Sequence, residues 1–194
     1  MLPDSLVTSV QRYGTLDCMS EVSGVISDPE LYALAETAGR ELHVAGWRIV
    51  TAESCTGGWI AKALTDVPGS SQWVQSGYVT YSNTAKMRDV GVSAVTLQEH
   101  GAVSEETVRE MANGALRVTG AEVAIAVSGI AGPDGGTREK PVGTVWFGIA
   151  TPQARGPAAV CELQHFAGDR EEVRRQSVGY ALRLLLRLLR AGRA

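Results

Sequence analysis

Thr51-Ala52-Glu53-Ser54-Cys55-Thr56-Gly57-Gly58 is the stretch whose reading decides the fold. It follows Trp47-Arg48-Ile49-Val50, a run with β-branched residues bounded by Gly46, which predicts a short buried strand. After its hydroxyl-thiol-hydroxyl cluster and paired glycines comes Trp59-Ile60-Ala61-Lys62-Ala63-Leu64, with helical spacing. A strand that runs through small residues into a helix aims backbone N–H groups and hydroxyls at one point. Such a point can bind an anion or hold a nucleophile. A Gly-rich connection without chemistry is the plain alternative.

Upstream, Ser27-Asp28-Pro29-Glu30 is a helix start, with a capping Ser, an early Pro and Glu three residues after the Ser. Leu31, Leu34, Ala35, Ala38 and Leu42 trace one face of that helix, and Gly46 ends it. Residues 1–26 are rich in Ser, Val and Thr without clear periodicity and are expected to form a poorly ordered extension. Met19 is an equally good start, and 27–192 is expected to be the single domain.

Downstream, the helix after the glycines stops near Asp66-Val67-Pro68-Gly69, and 73–81 reads as a strand by residue type. Ser82 and Ser93 are positioned to cap two short helices, and Ser104-Glu105-Glu106 opens a longer one with Val108, Met111, Ala112, Ala115 and Leu116 inward. The continuous apolar run 123–127 predicts a strand covered on both faces. Residues 144–150 and 158–166 are expected to pair as strands, and Asp169 to cap the last helix. Alternating helices and strands predict an α/β fold, a single-domain three-layer α/β/α sandwich with a mostly parallel or mixed central sheet.

The bulk numbers agree with one globular domain: 194 residues, 44% hydrophobic and 20% charged. A formal charge of -3 supplies no basic patch, so nucleic acid is not an expected partner. Cys18, Cys55 and Cys161 have no CxxC spacing, so neither a disulfide framework nor a metal site is expected, and a reducing cytoplasm fits. Residues 1–24 lack the pattern of a signal peptide. The apolar segment 181–189 is interrupted by Arg183 and Arg187 and falls short of the ~20 residues of a membrane span.

Familiar catalytic signatures are missing: no GxxxxGK[ST], GxSxG, SxxK or HExxH occurs. His43, His100 and His165 lie far apart and read as structural or surface residues. A hydrolase without a His base can use lysine if burial lowers its pKa. Of the three lysines, Lys62 reads as a solvated face residue. Lys86 follows Tyr81 and Asn83 on a short helix, and Lys140 ends the glycine loop, where it could meet a phosphate. Gly129, Gly132 and Gly135 recur every third residue directly after the buried strand, and ligands of open α/β sheets collect beyond the carboxyl ends of strands.

Together with Thr51–Gly58, the segments Pro68-Gly69-Ser70-Ser71, Val79-Thr80-Tyr81-Ser82-Asn83, Gly101-Ala102-Val103-Ser104, Ser128-Gly129-Ile130-Ala131-Gly132-Pro133 and Lys140-Pro141-Val142-Gly143 resemble the CinA C-terminal domain family. The resemblance runs from about Ser27 to the last helix and is to its stand-alone members. It implies a cofactor-free hydrolysis of the carboxamide of nicotinamide mononucleotide to nicotinate mononucleotide and ammonia. It further implies Ser54 as nucleophile with Lys86 and Tyr81 assisting, and the glycine loop with Gly129 and Gly132 and the segment with Lys140 bordering the nucleotide. Backbone N–H groups around Thr56, Gly57 and Gly58 would suit either the oxyanion or the phosphate, and Asn83 is a further candidate at the substrate.

Two rival readings stand beside this one. Glu53, Lys86 and Cys55 would supply a glutamate-lysine-cysteine set, although strand alternation sends one of Ser54 and Cys55 toward the core. The other is a non-catalytic pyridine-nucleotide-binding or competence-associated module. A homo-oligomer is expected; the apolar strands and the Leu-rich last helix offer surface for it or else form the monomer's own core.

Overall fold

The computed structural model describes residues 26–152 and 158–191. The expected extension therefore lies outside the described residues, apart from Ile26. In chain order the elements are α1 (Asp28–Ala45), β1 (Ile49–Glu53), α2 (Trp59–Thr65), β2 (Val74–Val79), α3 (Asn83–Val90), α4 (Ala94–Glu99), α5 (Glu105–Thr119), β3 (Val123–Gly129), β4 (Thr144–Thr151), β5 (Ala158–His165) and α6 (Arg170–Ala191).

The helix boundaries follow local chemistry. Ser27 and Glu30 close a reciprocal capping box at the start of α1, and Gly46 ends it in the left-handed conformation. Ser82, Ser93 and Ser104 each accept a backbone N–H at the starts of α3, α4 and α5. At α6 the Asp169 carboxylate accepts from the N–H groups of Glu171 and Glu172, while Glu172 accepts from Asp169 N–H.

Among the described residues the strands form one mixed sheet in the order β2-β1-β3-β4-β5. β1 runs parallel to both β2 and β3, whereas β4 and β5 pair antiparallel. β2 is an edge strand, and its residues alternate between half-buried and exposed, which is why its two faces carry no clean apolar pattern in the sequence.

Strand alternation divides the core. Val123, Ile125 and Val127 point into one cluster with α1, α2 and α6, while Ala124 and Ala126 point into the other with α3 and α5. Burying each large aliphatic side chain contributes roughly 1.5–3 kcal/mol. The alanine face instead brings α5 close. A Cβ on Gly148 would lie 2.7 Å from the Val108 carbonyl oxygen, so a larger residue there would push α5 off the sheet. The result is the three-layer arrangement expected from the sequence.

β1 and β3 end at the same edge. Ser54 N–H donates to Val127 O at 2.9 Å, carrying the parallel ladder one residue beyond β1 and setting Ser54 beside the end of β3.

Candidate active site

Ser54 leaves the sheet where β1 gives way to the turn before α2. Its Oγ lies 3.0 Å from Lys86 Nζ, which also donates to the Thr80 carbonyl at 2.8 Å and makes a long contact of 3.5 Å with the Tyr81 carbonyl. Lys86 reaches this place because α3 turns inward only Lys86 and Val90, one helical turn apart. Thr80 is itself held to β1 by its N–H on the Glu53 carbonyl.

Lys86 is 1% exposed, and among the described residues no carboxylate pairs with it. Burial disfavours its charged form and lowers its pKa to about 8. A neutral amine has two N–H bonds and one lone pair. With the carbonyls of Thr80 and Tyr81 facing the N–H bonds, the lone pair is left for the Ser54 hydroxyl.

Cys55, 6% exposed, packs in the core cluster with α1, α2 and α6 and also borders the small cleft at Ser54, and burial pushes its thiol up to about 12. A thiol so protonated is a poor nucleophile at neutral pH. Among the described residues, the hydrogen bonds of Glu53 go to groups other than Lys86 and Cys55. Its carboxylate is fully buried and accepts from Thr51 Oγ1 (3.2 Å), Thr56 Oγ1 (2.7 Å), Ile60 N–H (3.0 Å) and Ala61 N–H (2.8 Å). The first turn of α2 therefore serves an internal carboxylate, which the favourable end of the helix dipole also steadies.

A cleft of about 200 Å³ opens over Ser54, lined among others by Tyr81, Lys86, Ser128, Gly129 and Arg170. The structure thus brings Ser54, Lys86, Tyr81 and Gly129 together. Tyr81 contributes its backbone carbonyl to Lys86; its side chain is exposed, and its hydroxyl accepts from Arg170 at 3.0 Å.

The other residues expected at the substrate are not among those that line this cleft. Thr56 is buried on Glu53, and Asn83 is exposed at the first turn of α3. Gly57 and Gly58 line a separate, larger cleft of about 730 Å³ that contains no serine nucleophile. Gly132, with φ at 83°, offers its carbonyl to Arg170 at 2.7 Å. Lys140 Nζ donates to the carbonyls of His100 and Val103.

Arg170 is the residue that sequence reasoning missed. It sits in the first turn of α6, where a cation opposes the helix dipole, and that local misfit is the signal that could have found it. Its guanidinium spans the mouth of the cleft from Tyr81 to Gly132.

Residues 31–189 match the family model described as the CinA C-terminal domain. The chain is 53% identical over 160 residues to the nicotinamide-nucleotide amidohydrolase PncC of Escherichia coli K12, covering 82% of this chain and 95% of that one. It is 51% identical over 161 residues to the protein of the same name from Pseudomonas putida, covering 83% and 98%. A CinA superfamily protein of Klebsiella pneumoniae superposes with a TM-score of 0.77 at 42% identity, over 82% of this chain and 97% of that one. No helix among the described residues is long and apolar enough to cross a membrane. The motifs that surround Ser54 and Lys86, the fold that joins them and the match across most of the chain agree: the chain belongs to the CinA C-terminal domain family.

Proposed function

We propose that this chain hydrolyses the carboxamide of nicotinamide mononucleotide to nicotinate mononucleotide and ammonia. The observation that carries the reading is the 3.0 Å contact between Ser54 Oγ and a buried lysine whose pKa is lowered to about 8. The similarity to the amidohydrolases of Escherichia coli and Pseudomonas putida supports the choice of substrate.

In this reading neutral Lys86 takes the Ser54 proton as Oγ attacks the carboxamide carbon. The resulting ammonium returns that proton to the leaving nitrogen, and the C–N bond breaks to give ammonia and an ester on Ser54. Lys86, neutral again, deprotonates a water that attacks the ester. Carboxylate departs and Ser54 is restored.

The cleft is smaller than the roughly 300–1,000 Å³ of sites that enclose a whole drug-sized ligand. It therefore takes the pyridine carboxamide inward and leaves the phosphate at the mouth. There Arg170 has used two of its five N–H donors on Tyr81 and Gly132. Residues 27–192 form the catalytic unit in this reading. Two free cysteines among the described residues suit a reducing cytoplasm, and the enzyme works as a homo-oligomer.

The test is ammonia release from nicotinamide mononucleotide without added metal, wild type beside Ser54→Ala. Turnover that vanishes in a folded Ser54→Ala variant is the expected result. Activity that survives in Ser54→Ala moves the nucleophile to Cys55. Binding without ammonia in the wild type replaces the enzyme with a nucleotide-binding module.

A further inference from the structure

Ala102 and Val103 form one wall of the Ser54 cleft. This wall is a loop between α4 and α5, and a side-chain donor from outside or beside the loop holds each of four successive carbonyls. Lys140 Nζ donates to His100 O at 2.9 Å and to Val103 O at 2.7 Å. The Gly101 carbonyl accepts from Ser104 Oγ at 3.0 Å and Thr107 Oγ1 at 2.8 Å, and the Ala102 carbonyl from Ser128 Oγ at 2.7 Å.

Lys140 is built for this reach. Thr137 N–H donates to Lys140 O at 2.9 Å and Lys140 N–H to Thr137 Oγ1 at 3.0 Å, which closes a tight turn at the base of the side chain. On the receiving side Gly101 has φ at 77°, and a Cβ there would lie 4.0 Å from Lys140 Nζ. A glycine in the left-handed conformation lets the loop curl so that its first and last carbonyls converge on one ammonium.

We propose that Lys140 is a positioning residue: it sets the Ala102–Val103 wall against the substrate instead of contacting the phosphate itself. The proposal rests on the amidase reading above. A cation at the end of a glycine loop invites assignment to a phosphate. Its ammonium, however, has two of its three donors committed to a wall of the cleft and is absent from the residues that line it. Displacing such a wall by an ångström is enough to cost a reaction up to about 100-fold.

The experiment pairs Lys140→Met and Lys140→Arg with two substrates, nicotinamide mononucleotide and its dephosphorylated nucleoside. It also follows amide hydrogen exchange at residues 100–104. A positioning role predicts that Lys140→Met lowers kcat/KM for both substrates by the same factor, on the order of 10–100-fold. Exchange should quicken at Ala102 and Val103, the pH profile should keep its shape, and Lys140→Arg should recover part of the loss. Thr107→Val, which frees one hydroxyl bond to Gly101, should repeat the exchange pattern more weakly. Loss confined to the phosphorylated substrate with exchange unchanged would overturn the proposal, and so would a variant identical to wild type. The exchange measurement needs no turnover. A wild type that releases no ammonia sinks the amidase reading, whereas unaltered exchange in Lys140→Met sinks this one.

Discussion

Glu53 and Lys86 are both buried beside Ser54, one as its chain neighbour and the other as its hydrogen-bond partner, and the protein treats their charges in opposite ways. Four donors and the first turn of α2 surround the Glu53 carboxylate. The Lys86 ammonium has two carbonyls and a hydroxyl but no counter-ion among the described residues. A buried carboxylate surrounded by donors holds structure together, while a buried ammonium left short of partners releases its proton more readily. The first arrangement fixes the turn that carries Ser54. In the proposed reaction the second supplies the base.

Breaking the comparison on the lysine side should have the largest effect. Lys86→Met is expected to lower kcat for ammonia release by about 10⁴-fold, the upper range for removing a general base. Its thermal midpoint at pH 7 should be equal to or above that of wild type, because no ammonium then needs to be buried. A midpoint many degrees lower would show that Lys86 is held for structure.

On the glutamate side the cost should fall on stability. Glu53→Ala strands two hydroxyls and two backbone N–H groups, and urea denaturation should show a loss of about 3–5 kcal/mol. A loss below about 1 kcal/mol would mean that the carboxylate is not what secures α2.

Acid–base linkage sharpens the contrast next. The Lys86 pKa is about 8 in the folded protein against an ordinary value of 10.5. Between these values the unfolded chain binds more protons than the folded one, so this group makes stability rise with pH across that window. The difference between wild type and Lys86→Met should therefore shrink by about 3 kcal/mol from pH 8 to pH 10.5, at about 1.4 kcal/mol per pH unit. An unchanging difference in paired denaturation curves would refute it.

The same pKa governs the rate. Below about pH 8 the neutral fraction of Lys86 falls about tenfold per pH unit, and kcat/KM should fall with it, levelling above. A pH-independent profile from 6 to 9 would exclude Lys86 as the base. The smallest effect belongs to the remaining candidate. Cys55→Ala should keep activity within about threefold, since a thiol pushed up to about 12 is almost wholly protonated at neutral pH. Activity abolished in a folded Cys55→Ala would reverse the assignment.

Much of the fold was legible because its signals are local. Ser27, Ser82, Ser93 and Ser104 announce helix starts by their own hydroxyl chemistry, and Gly46 and Gly120 announce ends by their freedom at positive φ. The run 123–127 is apolar on both faces because both faces are covered. The Ser54–Lys86 pair was legible only as residue types at a motif spacing. Nothing in the local sequence says that Lys86 is buried, since its own helix is polar and mostly exposed.

The sequence by itself determined the elements, their order and the presence of a serine, a lysine and a glycine loop beyond strand ends. Tertiary structure decided which groups meet. Arg170 reaches Tyr81 across 89 residues of chain, Lys140 reaches Val103 across 37 and Lys86 reaches Ser54 across 32. Those meetings depend on how β1 and β3 align and how α5 and α6 pack on the sheet. Hydrophobic periodicity reports the face of an element that is buried, but not which distant polar group shares that burial.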